Sequence, residues 1–493
     1  MTPMKSRSLS TLSLIIRHEA RILVRDRTLP LVCCVLALMV GYGLFVGLAQ
    51  ATLRDRMVAQ VAKHEQETQR ANTGTLQSVL AGKSALVPFS NPANPAALAG
   101  TLAGRFATIP NAPLAALAIG QSDMMPNYYR ISYLSKVQFM YDTEIENPWN
   151  LLSGHFDLAF VIVFVLPLLV TTLGYNLLSA EREHGTLRML CSQPLSVPTL
   201  LTGKIVVRML ALLAIAIPLP LIVVLLIRPE TRGVEQLLLM LSWSALITAY
   251  TLFWFAVAAL VNATGLSSSA NALIMVALWT TFVLILPVTM NLVVGLVSPA
   301  PSRTELASRT RVATAESLRE FESLYSADYR YASDPEALLV KGERIEVPSR
   351  MRAFFLAKQR VDEKIEPLLE RFDRQLLQQQ RLVDRLSLLS PAILVNEALN
   401  SIAGTDSRRF VAFKDQTEAF HNKWRQYFSP RILESRAMTA QDLSSLPQWH
   451  WIEIPASETS WSIWWRTALM LALAFMVGGA ALARSSRSNR IAV

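Results

Sequence analysis

Two strings in the sequence contain a Gly-Lys pair of the kind that binds nucleotide phosphates. A phosphate-binding loop needs another glycine five positions before that pair and a Ser or Thr after the lysine. Gln77 occupies the required glycine position before Gly82-Lys83-Ser84, and Ile205 follows Gly203-Lys204. We therefore predict that the chain has no ATP site of its own.

Three further strings approach the motifs of hydrolytic enzymes. The zinc-protease pattern His-Glu-x-x-His needs a second histidine four positions after the first. That position is Thr68 for the pair His64-Glu65 and Ile22 for the pair His18-Glu19. The serine-hydrolase pattern Gly-x-Ser-x-Gly begins at Gly265-Leu266-Ser267, but Ser269 occupies the position of its second glycine. The sequence therefore predicts no catalytic residue and no metal site, and function must come from the apolar segments and the loops they position.

The composition is typical of a membrane protein. Hydrophobic residues make up 52% of the 493 residues and charged residues 17%, against about 45–50% and about 25% in soluble domains. The net charge of +10 does not indicate nucleic-acid binding, because residues 300–460 contain 23 basic and 23 acidic side chains. The basic surplus lies beside the apolar runs, where retention of Lys and Arg on the cytoplasmic side explains it.

Six apolar segments reach the roughly 20 residues that a membrane-spanning helix needs. They are residues 29–49, 156–178, 205–227, 237–261, 271–297 and 462–483. An even number places both termini on one side, and basic residues at both ends place that side in the cytoplasm. These residues are Lys5, Arg7, Arg17, Arg21, Arg25, Arg27, Arg484, Arg487 and Arg490. The predicted fold class is an all-α polytopic protein of the bacterial inner (cytoplasmic) membrane.

Four segments lie outside the predicted spans. Residues 1–28 are expected to form an amphipathic helix at the inner interface, with its apolar face towards lipid and its basic face towards headgroups. A cleaved signal peptide, ending at Ala49-Gln50-Ala51, is the alternative for the first apolar run. Residues 50–155 and 298–461 are predicted to be mainly helical extracytoplasmic insertions, and residues 484–493 a cytoplasmic tail.

The second insertion has a readable helical pattern. Apolar residues recur every three or four positions from about 350 to 386, and Ser390-Pro391 and Gly404 then bound a second helix over 393–403. Residues 71–115 are expected to form loops with short helices.

Several residues interrupt the predicted spans or add polarity to them. Pro167, Pro218, Pro220 and Pro287 predict kinks, and the Gly43 to Gly47 spacing suits a close approach of helices. Polar residues of the fifth span are candidates for lining a translocation path, since such groups tend to face the protein interior. These are Thr280, Thr281, Thr289 and Asn291. Hydroxyls that face lipid and bond their own backbone account for the threonines equally well.

The loop between the second and third spans, residues 179–204, has the most distinctive pattern. It contains Glu181-Arg182-Glu183, then Gly185-Thr186-Leu187, then Pro194, then Gly203-Lys204. Gly185 permits a sharp bend, and residues 186–191 can form a short helix across the membrane face. Leu187, Met189 and Leu190 give that helix an apolar surface that needs cover.

These elements resemble, in order and spacing, the corresponding loop of ABC-2 type transporter permeases. Asn147-Pro148-Trp149 and Gly154-His155-Phe156-Asp157 are similar to a subgroup with enlarged extracytoplasmic loops, related to permeases of nitrous-oxide-reductase maturation. The resemblance covers the interfacial helix and six spans in outline and is specific over about 140–205. The 300–460 insertion departs from the compact permeases, which have a short pair of helices there.

The resemblance implies the membrane subunit of an ATP-driven exporter. ATP and Mg would bind a separate ABC ATPase subunit, and a coupling helix at about 181–192 would sit in a groove of that ATPase. A second permease copy or paralogue would complete a dimer. The coupling residues would be Glu181, Arg182, Glu183, Gly185, Thr186, Leu187, Leu190, Pro194, Gly203 and Lys204. One alternative is a solvated charged loop, and another is a membrane-anchored interaction or mechanotransmission protein whose periplasmic helices bind a partner without transport.

Overall fold

The structure, a computed structural model, describes residues 4–84, 86–140, 156–192, 196–299, 302–325 and 339–491. It is mostly helical, and six of its helices are long and apolar enough to cross a membrane, as predicted. We call them spans 1 to 6. They are Thr28–Leu80, Leu158–Glu183, Val197–Ile227, Val234–Asn262, Ser268–Val297 and Ser460–Ser486.

The bundle has two ends. The loop face is the end at which residues 179–204 join spans 2 and 3, and the insertion face is the opposite end. The N-terminal helix, Met4–Arg25, lies at the loop face against span 3. Spans 2 and 4 are the most enclosed, and span 4 packs most extensively on span 6. The bulky side chains of Trp243, Trp254 and Phe255 are fully buried there.

Span 1 extends well beyond the predicted end at residue 49. Its helix runs for 53 residues to Leu80 and so carries the chain out of the bundle into the first insertion. Alanine, arginine, glutamine and glutamate are good helix formers, so the helix does not stop where the apolar run does. The expectation of loops from residue 71 is therefore wrong up to Leu80.

Three spans are interrupted next to a proline. Five- and six-residue π-helical turns, Val161–Val165 in span 2 and Thr280–Ile285 in span 5, precede Pro167 and Pro287. Span 3 breaks at Ile217, directly before Pro218. Proline removes a backbone donor and displaces the preceding turn, so the predicted irregularities are confirmed at these three sites. The helical segments on either side are Leu158–Phe160, Leu166–Gly174, Ser179–Glu183, Val197–Ala216, Pro218–Ile227, Ser268–Trp279 and Leu286–Val297.

The two insertions share one apolar core at the insertion face. Phe413, Trp424 and Phe428 are fully buried in it beside Tyr129 and Phe355. The insertions are mainly helical, with one two-stranded antiparallel sheet, β1 (Arg105–Thr108) and β2 (Tyr128–Ile131), that the sequence analysis did not predict because strands of four residues leave little pattern in a sequence. The helices are Pro95–Ala97, Lys136–Met140, Arg303–Glu320, Glu322–Tyr325, Ser349–Leu386, Pro391–Ala403, Ser407–Leu433, Ala440–Ser444 and the start of Ala456–Ile491.

The helix Pro391–Ala403, which we call the inserted helix, has the predicted ends but an unexpected place. Ser390 caps it by accepting a hydrogen bond from the Ile393 amide, and Gly404 ends it in the left-handed conformation. The helix contacts spans 4, 5 and 6, and its apolar side chains join the core of the bundle. Ser390 Oγ donates to the carbonyl of Phe282, near the middle of span 5. The second insertion therefore re-enters the bundle, which corrects the prediction that all of residues 298–461 lie outside it.

The glycines of span 1 do make close approaches. A Cβ at Gly43 would lie 2.9 Å from the backbone of Asp157, and one at Gly47 would overlap the carbonyl oxygen of Ala116. Gly41 faces open space. Span 1 is thus held against the start of span 2 and the 115–117 turn, and the spacing serves contacts within this chain.

Candidate coupling site at the loop face

The loop after span 2 folds as its sequence predicts. Gly185 has φ +72°, in the left-handed region that favours glycine, and the short helix spans Thr186–Cys191. Thr186 Oγ1 donates to the carbonyl of Glu181 at 3.2 Å across the bend. Pro194 lies outside the described residues, as do Asn147-Pro148-Trp149 and Gly154-His155.

Glu181 ties the loop to span 3. Its carboxylate accepts from Lys204 Nζ at 2.5 Å, and the lysine side chain is almost fully buried. Gly203 beside it is also buried within span 3. Gly203 and Lys204 therefore act inside this chain, at the foot of span 3, and the resemblance alone did not indicate what they contact.

Glu183 ties the loop to span 5. Its carboxylate accepts from the Ser268 amide at 2.6 Å and from Ser268 Oγ at 2.9 Å, at the first turn of that span. Ser179 Oγ lies 2.8 Å from Ser268 Oγ. A carboxylate at a helix N-terminus is favourable because it satisfies free amides and opposes the helix dipole, so this contact fixes the position of span 5 relative to the loop.

Asn262 ties the end of span 4 to span 2. Its Oδ1 accepts from the Leu178 amide at 3.1 Å, and its Nδ2 donates to the Gly174 carbonyl at 2.8 Å. Asn262 is fully buried. A side-chain amide that bonds two backbone groups of a neighbouring helix holds both helices in one register.

Arg208, in the first half of span 3, joins three elements. The guanidinium is buried and pairs with the buried Glu19 of the N-terminal helix at 2.6 Å. It also donates to the Leu173 carbonyl and to Asn176 Oδ1 at 3.2 Å, both in span 2. The pairing explains why the face of the N-terminal helix that carries Glu19 turns inward.

The apolar residues of the short loop helix divide between two directions. Leu187 and Leu190 are partly buried against the core of the bundle. Met189 is 70% exposed. Arg182 lies beside the neighbouring turn, where a Cβ at Gly265 would be 3.6 Å from its Nη1. Within the described part of the chain that nitrogen has no hydrogen-bond partner. The coupling residues predicted from the resemblance did not include Met189, although the apolar pattern of the loop does.

The candidate path residues of span 5 also divide. The hydroxyls of Thr280, Thr281 and Thr289 donate to carbonyls of their own helix at 2.8–2.9 Å. Asn291 lines a large cavity at the insertion face, together with Val294. The structure thus brings Asn291 to a space that a solute can occupy and leaves the three hydroxyls with local backbone partners.

Comparison with known protein families finds a match in the second insertion. Residues 328–452 match a family model described as a domain of unknown function, DUF3526. This segment includes the whole of the helix Ser349–Leu386, the inserted helix and the helix Ser407–Leu433. A search of curated proteins finds no match to the chain. The match therefore concerns the second insertion and carries no information on the loop face.

Proposed function

We propose that the chain is the permease subunit of an ATP-binding-cassette exporter in a bacterial inner membrane, with the loop face in the cytoplasm. The observation that carries the proposal is the set of contacts made by one loop. Glu181 holds span 3 and Glu183 holds span 5, while the loop itself continues from span 2. A displacement of residues 181–192 is therefore transmitted to spans 2, 3 and 5, in two cases through short polar contacts.

The proposed orientation is supported by where the basic side chains lie. Arg17, Arg21 and Arg25 are exposed on the N-terminal helix, which lies at the loop face. Basic residues beside spans are retained on the cytoplasmic side, and exposed arginines at that depth meet anionic headgroups. The two insertions are then extracytoplasmic.

A separate ATPase subunit would engage the exposed part of the loop. Met189 is exposed there and offers an unbranched apolar side chain that adapts to a groove. ATP and Mg would be held by that partner. Leu187 and Leu190, by packing on the bundle, would carry the movement inward.

A second permease, identical or paralogous, would complete the path. Span 5 is the least enclosed of the six spans, since only 17% of its apolar central stretch is buried by the rest of the chain. Leu273, Val288 and Leu296 on it are exposed. Apolar surface of this kind is covered in a membrane by lipid or by another subunit, and in the proposed dimer the second subunit covers part of it.

The test compares two substitutions of one exposed residue. Met189→Glu places a charge in the apolar contact and should abolish co-purification of ATPase activity with the tagged full chain from its own membranes. Met189→Leu keeps an apolar side chain and should preserve it. If Met189→Glu and a neutral linker in place of residues 181–192 both retain the ATPase, the coupling assignment is wrong.

The second candidate is a protein that transmits force across the membrane without transporting a solute. It is favoured by the continuous helix Thr28–Leu80 and by the inserted helix, both of which link the insertions rigidly to the bundle. Reconstituted vesicles distinguish the two. Loss of ATPase association in Met189→Glu, with no ATP-driven solute movement by the unmodified complex, would support this candidate over the exporter.

A further inference from the structure

A cavity of about 1940 Å³ separates the insertions from the outer ends of spans 4, 5 and 6. Pockets for ordinary small-molecule ligands measure about 300–1,000 Å³, so this space suits a larger occupant. Its walls come from two different environments. One is the bundle, and the other is the polar helical domain that faces it.

The bundle wall carries apolar side chains beside polar ones such as Ser242 and Asn291, and its apolar part continues into the exposed apolar surface of span 4. Leu238 and Leu239 of span 4, Val294 of span 5 and Trp464 of span 6 line the cavity. Leu238 is 58% exposed, and Leu241, one turn further along span 4 and outside the cavity lining, is 59% exposed. Exposed leucines of span 4 therefore lie both on the outer surface of the bundle and at the cavity.

The opposite wall carries charges of both signs. Lys414 pairs with Asp373 at 2.5 Å and Arg408 pairs with Asp406 at 2.9 Å. Each pair keeps one partner at least one-third exposed, so it can rearrange to contact a polar group. The two signs suit a zwitterionic headgroup.

Apolar side chains lie on this wall as well. Leu376 and Leu377, on the helix Ser349–Leu386, line the cavity and are 41% and 45% exposed. They belong to a helix rich in Arg, Gln and Asp, so they add apolar surface to a wall that is otherwise largely polar. An alkyl chain between them and Leu238 would cover both walls.

We propose that this cavity binds an amphiphile that has at least one alkyl chain and a zwitterionic headgroup, and that exchanges sideways with the membrane leaflet at the insertion face. The proposal rests on the proposed function in naming the substrate class of the exporter. A water-soluble solute would leave the apolar wall uncovered. A bilayer lipid or a lipid-like molecule satisfies both walls.

The experiment uses the full chain in phosphatidylcholine nanodiscs that contain a trace of phosphatidylcholine with a photoreactive alkyl chain. After illumination, mass spectrometry of peptides should find the label at residues 376–377 as well as on the lipid-facing spans. Leu238→Trp narrows the cavity and should lower labelling of residues 376–377 about tenfold, which corresponds to ~1.4 kcal/mol of binding free energy. Leu241→Trp is the control, because it adds the same bulk at a matched exposure outside the cavity, and it should leave that labelling unchanged.

Three outcomes would overturn the proposal. They are no label at residues 376–377, equal loss of label in both variants, and competition by soluble peptides but not by unlabelled phosphatidylcholine. No ATPase and no ATP are present in this experiment. A failure here therefore leaves the coupling assignment standing, and a failure of ATPase association in Met189→Glu leaves the labelling result standing.

Discussion

At the loop face, charged side chains that lie inside the bundle are paired with groups from other helices, whereas at the insertion face the helices separate around a wide cavity. Arg208 with Glu19 and Lys204 with Glu181 close the first end. The cavity at the second end has exposed apolar residues and solvent-accessible ion pairs on its walls. In the proposed orientation the chain is closed to the cytoplasm and open to the outer leaflet.

This difference shows where a transport cycle would have to act. Opening the loop face means separating buried charges, which is costly unless new partners form. The contacts of Glu181 and Glu183 place that cost under the control of the loop that would meet the ATPase. The outer cavity needs no such input, because it is already accessible.

The largest expected effect comes from breaking the closed end. Arg208→Met leaves Glu19 buried without its partner, and removal of one member of a buried pair costs about 3–5 kcal/mol. The midpoint of thermal unfolding in nanodiscs should fall accordingly. Arg21→Met, on an exposed arginine of the same helix, should change stability by less than about 0.5 kcal/mol.

A double variant distinguishes the loss of the ion pair from the loss of side-chain packing at Glu19 and Arg208. Glu19→Gln combined with Arg208→Met removes both charges and should restore most of the lost stability. If Arg208→Met destabilises no more than Arg21→Met, the loop face is not held closed by this pair.

A smaller effect is expected where span 1 meets the insertion face. Gly47→Val forces a side chain into the backbone of Ala116 and should cost about 1–3 kcal/mol as an overpacking substitution. A Cβ at Gly41 meets nothing within 4 Å, so Gly41→Val should be close to neutral. Thermal unfolding of the two variants side by side measures the close approach, and equal midpoints would contradict it.

The insertion domain should be acid-sensitive through one buried histidine. Burial, helped by the neighbouring Arg425, lowers the pKa of His421 from its ordinary value of 6.5 to about 3. The unfolded state therefore takes up a proton first as the pH falls below 6.5, and by pH 5 this costs about 2 kcal/mol of folding stability. The loss is absent above about pH 7.5.

His421→Gln should remove this component, because a glutamine can donate to the Leu134 carbonyl that His421 Nε2 contacts at 2.9 Å and does not titrate. His450 is exposed and supplies the control. Thermal unfolding of the full chain at pH 7.5 and pH 5 should show a smaller difference for His421→Gln than for His450→Gln. The same difference in both would mean that His421 titrates normally.

Sequence patterns located elements better than they located contacts. The bend at Gly185, the helix over residues 186–191 and the caps at Ser390 and Gly404 depend on neighbouring residues, and all were predicted. The place of the inserted helix was not, because an apolar helix of this length fits a soluble core and a bundle equally well. The outcome was decided by contacts with spans distant in the chain, such as that of Ser390 with Phe282.

The candidate site shows the same limit. Arg208 and Glu19 are separated by 189 positions, and no local pattern connects them. A charged side chain inside a span requires a partner. The sequence therefore indicates that Arg208 has a partner, but it does not indicate which residue that partner is. Whether Leu187, Met189 and Leu190 face the bundle or the solvent depends on the orientation of a six-residue helix. The spacing of so few apolar residues does not determine that orientation.

The smallest effect tests which polar residues of span 5 belong to the open end. Thr281→Val removes a hydroxyl that donates to the Ala277 carbonyl of its own helix at 2.8 Å, so stability should change by less than about 0.5 kcal/mol and labelling of residues 376–377 should not change. Asn291→Trp places bulk in the cavity and should lower that labelling. If Thr281→Val lowered the labelling of residues 376–377 as much as Asn291→Trp, the ligand would extend along span 5 beyond the cavity. The open outer end would then not be separated from the closed loop face along span 5.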